Sequence, residues 1–235
     1  MGFDWRLGMI IGNTASSRVA ISSSGPTFRS ASTAQSSTGS LTTTIPSGAA
    51  AGDVLVLVIW ILYNGKAGTV GTPPTGWTQR SYVDTSSGSS EDFVFGVYTK
   101  TAGSSEPSAV WSGGSNWING QSSMIAVSGA TAVDVTGSIA SGFTASSITT
   151  TTATDLLIGI WANYTGGVSS GLGPFTGFPS PMTSRSSVIF NDFTYKELSV
   201  GTKTLSTSGA TGTLTATWSG NPAIFSNYCV LLAVK

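Results

Sequence analysis

Histidine is missing from the chain altogether, and cysteine occurs once, at Cys229. Without histidine there is no Ser-His-Asp triad, no Cys-His dyad and no His-ligated metal site. A single cysteine builds neither a disulfide framework nor a zinc cluster, and in the apolar run "YCVLLAV" it reads as a buried thiol. Charge is scarce as well. Only 9% of residues are charged, ten cations against ten anions, where an average soluble domain carries about 25%. So neutral a surface attracts nucleic acid and anionic lipid poorly and favours self-association. No nucleic-acid partner is expected. Nor does any run approach the ~18 apolar residues of a spanning helix. The longest, Val54 to Leu62, has nine, so no membrane insertion is expected. The N-terminal "MGFDWRLGMIIGNTASS" has an apolar stretch, Leu7 to Ile11, that Gly8 interrupts. It falls short of the ~7–15 residues of a signal-peptide core, so no export signal is read there. Nucleotide-cradling glycine motifs in a strand-to-helix setting are also lacking.

What the chain does have is a repeat. "GDVLVLVIWILYNG" (52–65) returns as "TDLLIGIWANYTGG" (154–167), "SLTTT" (40–44) as "SITTT" (147–151), and "WTQRS" (77–81) as "MTSRS" (182–186). "AVWSG" (109–113) returns as "ATWSG" (216–220), and "MIAV" (124–127) as "LLAV" (231–234). Landmarks recurring in the same order at offsets of 101 to 107 indicate an internal duplication. Asp53 pairs with Asp155 at an offset of 102, and Trp60 with Trp161 at 101, which implies one residue gained or lost between them. Each copy reads as short runs rich in Val, Ile, Thr, Tyr, Phe and Trp between turns such as "PSG", "PPTG" and "AGSSEP". The expected class is all-β: a two-sheet antiparallel β-sandwich, jelly-roll-like, with six strands per copy and one sandwich formed by both copies. Its boundaries are 37–235, with repeats at about 37–130 and 144–235, and an N-terminal arm over 1–36. Val54 to Leu62 is apolar on both faces, so it is expected to be a central strand whose outer face a loop, the arm or another subunit covers.

Chemistry then rests on carboxylates and aromatics. The acids Asp53 and Asp155 recur beside duplicated turns, as structural turn residues do, and adjacent Glu91 and Asp92 point to opposite faces of an extended chain. No catalytic residue, metal site or cofactor is expected. Six of the seven tryptophans have a large apolar counterpart in the other copy, the mark of core positions rather than of a sugar-binding ladder. Tyr63 and Tyr164, at strand ends beside "NG" and "TGG", are the expected exposed, glycan-facing candidates. In the arm, Phe3, Trp5, Arg6, Met9, Ile10 and Ile11 form an aromatic, apolar and Arg cluster of the kind that anchors interfaces.

The order "IPSGAAAGDVLVLVIW", "PPTGWTQRS", "FGVYTKTAGSSEPSAVW", "SSMIAVSGA" resembles a recurrent β-sandwich module of tailed-phage virion proteins and some bacterial surface proteins. The resemblance covers about 37–235. It implies a structural role in a bacteriophage virion: a capsid decoration, head-fibre or tail accessory subunit, made in the host cytoplasm and anchored by its arm. Other virion proteins and further copies of itself would be its partners. The alternative is a glycan-binding module that attaches the particle to the host surface. The second copy departs from the pattern, with "FPSPM" for "PPTGW" and "TSGATG" for "SSEP".

Overall fold

The computed structural model describes residues 25–37, 39–63, 71–85, 92–112, 114, 117–165, 175–191, 195–218 and 224–235, and every regular element among them is a strand. In the first copy these are β1 (Thr27–Ser36), β2 (Ser40–Thr43), β3 (Val54–Tyr63), β4 (Thr78–Asp84), β5 (Asp92–Thr101), β6 (Ala109–Ser112) and β7 (Trp117–Ser128). Their antiparallel pairing is nested: β1 with β7, β2 with β6, β3 with β5, and β4 on the far side of β5. This is the order of a long antiparallel ribbon rolled over on itself, as in a jelly roll. The main sheet runs β1-β7-β3-β5-β4, and β2-β6 forms a separate ribbon.

The second copy repeats that plan in shorter pieces. Its strands are β8 (Val133–Thr136), β9 (Ala140–Ser141), β10 (Thr144–Ala145), β11 (Thr149–Thr150), β12 (Leu156–Thr165), β13 (Phe175–Gly177), β14 (Thr183–Asn191), β15 (Tyr195–Thr204), β16 (Gly209–Ala210), β17 (Leu214–Thr215), β18 (Thr217–Trp218) and β19 (Ile224–Val234). The main sheet is β8-β19-β12-β15-β14, with β9 also on β19, and three two-stranded ribbons stand apart from it.

The two main sheets pack face to face, and both copies supply the central core. Val54, Val56, Val58 and Trp60 meet Leu156, Ile158, Ile160 and Tyr164, with Ile125, Leu198 and Val230 among the neighbours. Aromatic contacts bind the copies at one end: Phe93 against Tyr164 at 5.2 Å between ring centres, and Trp60 against Tyr228 at 5.6 Å. Beside them the amide of Gln121 donates to the carbonyls of Val188 and Lys196 across the interface. Each fully buried Val, Leu or Ile contributes about 1.5–3 kcal/mol by leaving water, so neither sheet stands without the other. The chain forms one sandwich.

The alternate residues of the central strands face outward and are equally buried. All ten residues of β3 are. Leu55, Leu57, Ile59 and Ile61 lie beneath Leu41 and Trp111 of the β2-β6 ribbon, and Leu157 and Trp161 lie beneath Ala145 and Phe175 of the other ribbons and Ile148 just before β11. The four layers are therefore ribbon, sheet, sheet, ribbon, and the chain covers its own apolar strands with its own ribbons.

Three expectations are corrected. First, residues 27–36 are not part of an arm. They form β1, the edge strand on β7, and β8 and β9 hold the same place on β19, so the duplication begins at β1 and the first copy has seven strands. The Ser/Thr-rich composition of 27–36 suits an edge strand, where few side chains are buried. Second, the second copy begins at β8, Val133, rather than near residue 144. Third, Trp60 and Trp161 are not equivalent. Val54 pairs with Val127 as Leu156 pairs with Val234, and Trp60 with Gln121 as Ala162 with Tyr228, so the offset of 102 holds along β3 and β12 and no residue is lost. A shift of one residue turns a side chain to the opposite face. Trp60 therefore fills the central core, whereas Trp161 fills the outer core of the second copy.

Candidate functional site

The first copy's distinctive turns border two small cavities, one on each face of the β4-β5 sheet. In "PPTGW", Gly76 adopts a φ of 81° and the amide of Trp77 donates to the carbonyl of Pro74 at 3.4 Å. This is a turn whose third position admits glycine readily and most residues poorly. It delivers Trp77, half-buried against the outer core, to the start of β4. Three residues on, the β4-β5 register shifts between Gln79 and Ser81, so Arg80 is a bulge residue. A bulge re-aims its side chain, and the Arg80 Nε donates to the Thr99 hydroxyl at 2.6 Å. From β5, Lys100 reaches into "AGSSEP", where its Nζ bonds Glu106 at 2.5 Å while Glu106 also accepts the Gly103 amide at 2.7 Å. The Lys100 bond first, and then the Gly103 amide, hold the Glu106 carboxyl below the usual carboxylate range.

Lys100 is the one residue shared by the linings of two cavities, the first on the central-core face of β4 and β5 and the second on the face toward the β2-β6 ribbon. One, of about 240 Å³, has Arg80, Thr99 and Thr131 in its wall; the other, of about 210 Å³, has Pro74, Trp77 and Pro107. The second copy preserves the bulged arginine but not the opening. Arg185 occupies the same bulge on β14 and donates from Nε to Thr202 at 2.7 Å, yet Phe28 stacks on its guanidinium at 4.4 Å. By the shared registers the counterpart of Phe28 is Val133, which has no ring to lay over Arg80. Sequence reading missed these cavities. Their signal was present in the duplicated "QRS" and "SRS", whose arginines differ only in what covers them.

The glycan-facing candidates lie elsewhere. Tyr63 is 5% exposed and Tyr164 1%, so the expectation that they face solvent is overturned. Tyr63 packs edge-on against Trp117 in the outer core, and burial raises its hydroxyl to about 12. Tyr164 packs against Phe93 in the central core. The same one-residue phase that separates Trp60 from Trp161 puts these two tyrosines on opposite faces. The arm cluster of Phe3, Trp5, Arg6, Met9, Ile10 and Ile11 lies outside the described residues, as does Glu91.

The carboxylates are spread through the fold. Asp53 is buried, paired with Arg29 at 2.7 Å and bonded to the Ala50 amide. Glu197 is buried and accepts from the Phe175 amide and the hydroxyls of Ser187, Tyr195 and Ser199. These donors tie β13 and β14 down to β15.

Asp134 and Asp155 are the one close pair among the described residues. Arg29 and Asp134 are corresponding bulge residues on β1 and β8, and each faces the Asp that precedes the central strand of its own copy. The first copy thus has an ion pair where the second sets two acids together. Burial would raise Asp134, but the Thr151 hydroxyl and amide and the Lys235 ammonium, 3.0 Å away, hold it well below the usual range. No N–H among the described residues donates to the Asp155 carboxyl. Burial, then the hydrogen bond with Asp134 and its charge, raise the Asp155 carboxyl to about 6. Neither side chain reaches solvent, so the proton that Asp155 takes up below pH ~6 is held inside the fold, and the pair presents nothing to a substrate. The Cys229 thiol is likewise fully buried, and burial pushes it up to about 11.

Compared with known proteins, the chain matches no family model, no curated protein sequence and no solved structure.

Proposed function

We propose that this chain is a structural subunit of a phage particle, a decoration, head-fibre or tail accessory protein, that acts by binding and display rather than by catalysis. One observation carries the reading: the sandwich has two unlike ends. Tyr63, Asp92, Trp117, Thr165, Tyr195 and Ile224 are strand ends, and all stand at the end of the sheets marked by Phe93 and Tyr164. The chain enters at the opposite end, where Gly25 lies against Thr154 and Thr27 pairs with Ser128. Loops grouped at one end of a β-sandwich are a common place for recognition. Entry at the other end leaves the Phe93 and Tyr164 end free of the anchor that residues 1–24 would form on neighbouring virion subunits or on further copies. A chain in which only 9% of residues are charged suits close packing in an assembly.

The test is a chain beginning at residue 25. It should melt as the full chain does, because β1 is intact, and should be absent from purified particles. A chain beginning at residue 37 loses β1 and Phe28, and should melt early or fail to fold. Incorporation of the residue-25 chain at the full-length level would refute arm anchoring. A stoichiometry to the major capsid protein that is neither fixed nor integral would refute the virion reading itself.

A further inference from the structure

We propose that the groove beside Arg80 receives an aromatic side chain from the N-terminal segment of a neighbouring copy of this chain, so that copies associate head to tail. The second copy of the repeat shows the same site filled. There Arg185, held through its Nε by Thr202, is covered by the ring of Phe28 at 4.4 Å. Phe28 comes from β1, the edge strand of the opposite sheet, which packs against β14. In the first copy the equivalent bulge sets Arg80 on Thr99 in the same way. The opposite edge strand is now β8, and it brings Val133 where β1 brings Phe28. Arg185 is half-buried, whereas Arg80 is exposed. The place of a phenyl ring on one side of the sandwich is thus a groove on the other, walled by Val54, Arg80, Thr99, Ala132 and Val133. Its volume of about 240 Å³ exceeds the ~150 Å³ that takes a benzene ring. A guanidinium face beside an aliphatic wall suits an aromatic side chain, by cation–π attraction and by burial.

Placement and sequence name the occupant. Phe28, Val127, Val54 and Thr101 form one row across the first sheet, so the groove lies at the end where the chain enters. Entry and groove stand at opposite edges of that sheet, β1 and β4, four strand spacings or about 19 Å apart. Copies set side by side in one orientation therefore bring the entry of each beside the groove of the next. Residues 1–24, outside the described residues, carry Phe3 and Trp5 on either side of Asp4, the one acid of that segment. Either aromatic matches the groove in chemistry, and Asp4 complements Arg80, whose described partner is the neutral Thr99 hydroxyl. The span from Trp5 to Gly25 reaches at most about 65 Å, ample for such a step. A contact between unlike surfaces repeats from copy to copy, closing into a ring or extending as a row.

Docking of this kind rests on the arm-anchoring reading above and gives the anchor a receptor. The test is sedimentation equilibrium of the full chain, which should self-associate in the micromolar to millimolar range. Replacing Phe3 and Trp5 together by Ala should weaken association tenfold or more, and so should Arg80→Gln. Val133→Phe, which installs the ring that the second copy receives from Phe28, should weaken it as well. Arg185→Gln should leave it unchanged. Thermal melts of each variant separate lost docking from lost folding, and Arg80 is exposed, so its variant is expected to fold. Mixing gives the sharpest outcome. The Phe3, Trp5 variant keeps a groove and Arg80→Gln keeps an arm, so each alone should stay monomeric while the mixture forms a dimer that grows no further. A full chain that is monomeric at millimolar concentration, association that survives either change, or a mixture that stays monomeric would each overturn the docking. Particles that take up the Arg80→Gln chain at the full-length level, yet exclude the chain beginning at residue 25, would overturn it too and leave arm anchoring standing.

Discussion

Replacing Asp155 by Asn tests the buried acid pair directly. In the folded protein the Asp155 carboxyl is raised to about 6, by burial and then by Asp134; in the unfolded chain it titrates near the ordinary ~3.9. The sign follows from the two values. Between pH ~4 and ~6 the unfolded chain releases this proton while the folded protein keeps it, so stability falls with rising pH across that window and levels off above it. A difference of about two units at ~1.4 kcal/mol each is roughly 3 kcal/mol. For a chain of this length that corresponds to a loss of about 6 °C in melting temperature, at an unfolding entropy near 2.1 cal/mol/K per residue. Asp134 does not cancel the effect, because its depressed carboxyl is ionised in both states above pH ~4 and contributes its own stability loss only below that. An asparagine in place of Asp155 needs no proton and can donate its amide to Asp134. The assay is chemical denaturation of both proteins from pH 4 to 8. The Asp155→Asn variant should gain on the wild type by about 3 kcal/mol between pH 4 and pH 7, whatever fixed packing difference separates them. A stability gap independent of pH across that range would refute the shared-proton reasoning.

Two further outcomes follow from the layered core. Trp111→Ala empties a 2%-exposed site between the first ribbon and its sheet and should cost ~3–5 kcal/mol by denaturant titration. Trp218→Ala should cost less, because Trp218 is only half-buried against Phe143 and Phe175. The first copy expressed alone, residues 25–130, bares the Val54, Val56, Val58 and Trp60 face and should aggregate or show no cooperative melt in calorimetry. A soluble fragment with a sharp transition would mean that the copies are independent domains.

The candidate cavities were only partly legible. "PPTGW" and "SSEP" stood out as turns peculiar to the first copy, and those are the turns that carry Trp77 and Glu106 to Lys100. That Arg80 is open while Arg185 is covered depends on Phe28, some fifty residues from the one and over a hundred and fifty from the other in sequence. Tyr63 and Tyr164 misled for a related reason. A turn signal beside a tyrosine says that the strand is ending, but exposure is set by the layer lying over that end.

The sequence by itself determined the strand content, the duplication, the two-sided burial of Val54 to Leu62 and the want of histidine or cysteine chemistry. All of these are carried by residue type and by spacing along one strand, which need no partner to be read. Tertiary structure alone decided which face of its sheet each aromatic occupies, because matching Trp60 to Trp161 on residue type is off by the single residue that reverses a pleat. It alone made 27–36 a strand, since an edge strand of Ser, Thr and Ala carries little apolar signal and takes its order from backbone bonds to β7. And it alone set Asp134 against Asp155 where Arg29 meets Asp53, because a charge acquires a partner only once the bulge that aims it has been folded onto its neighbour.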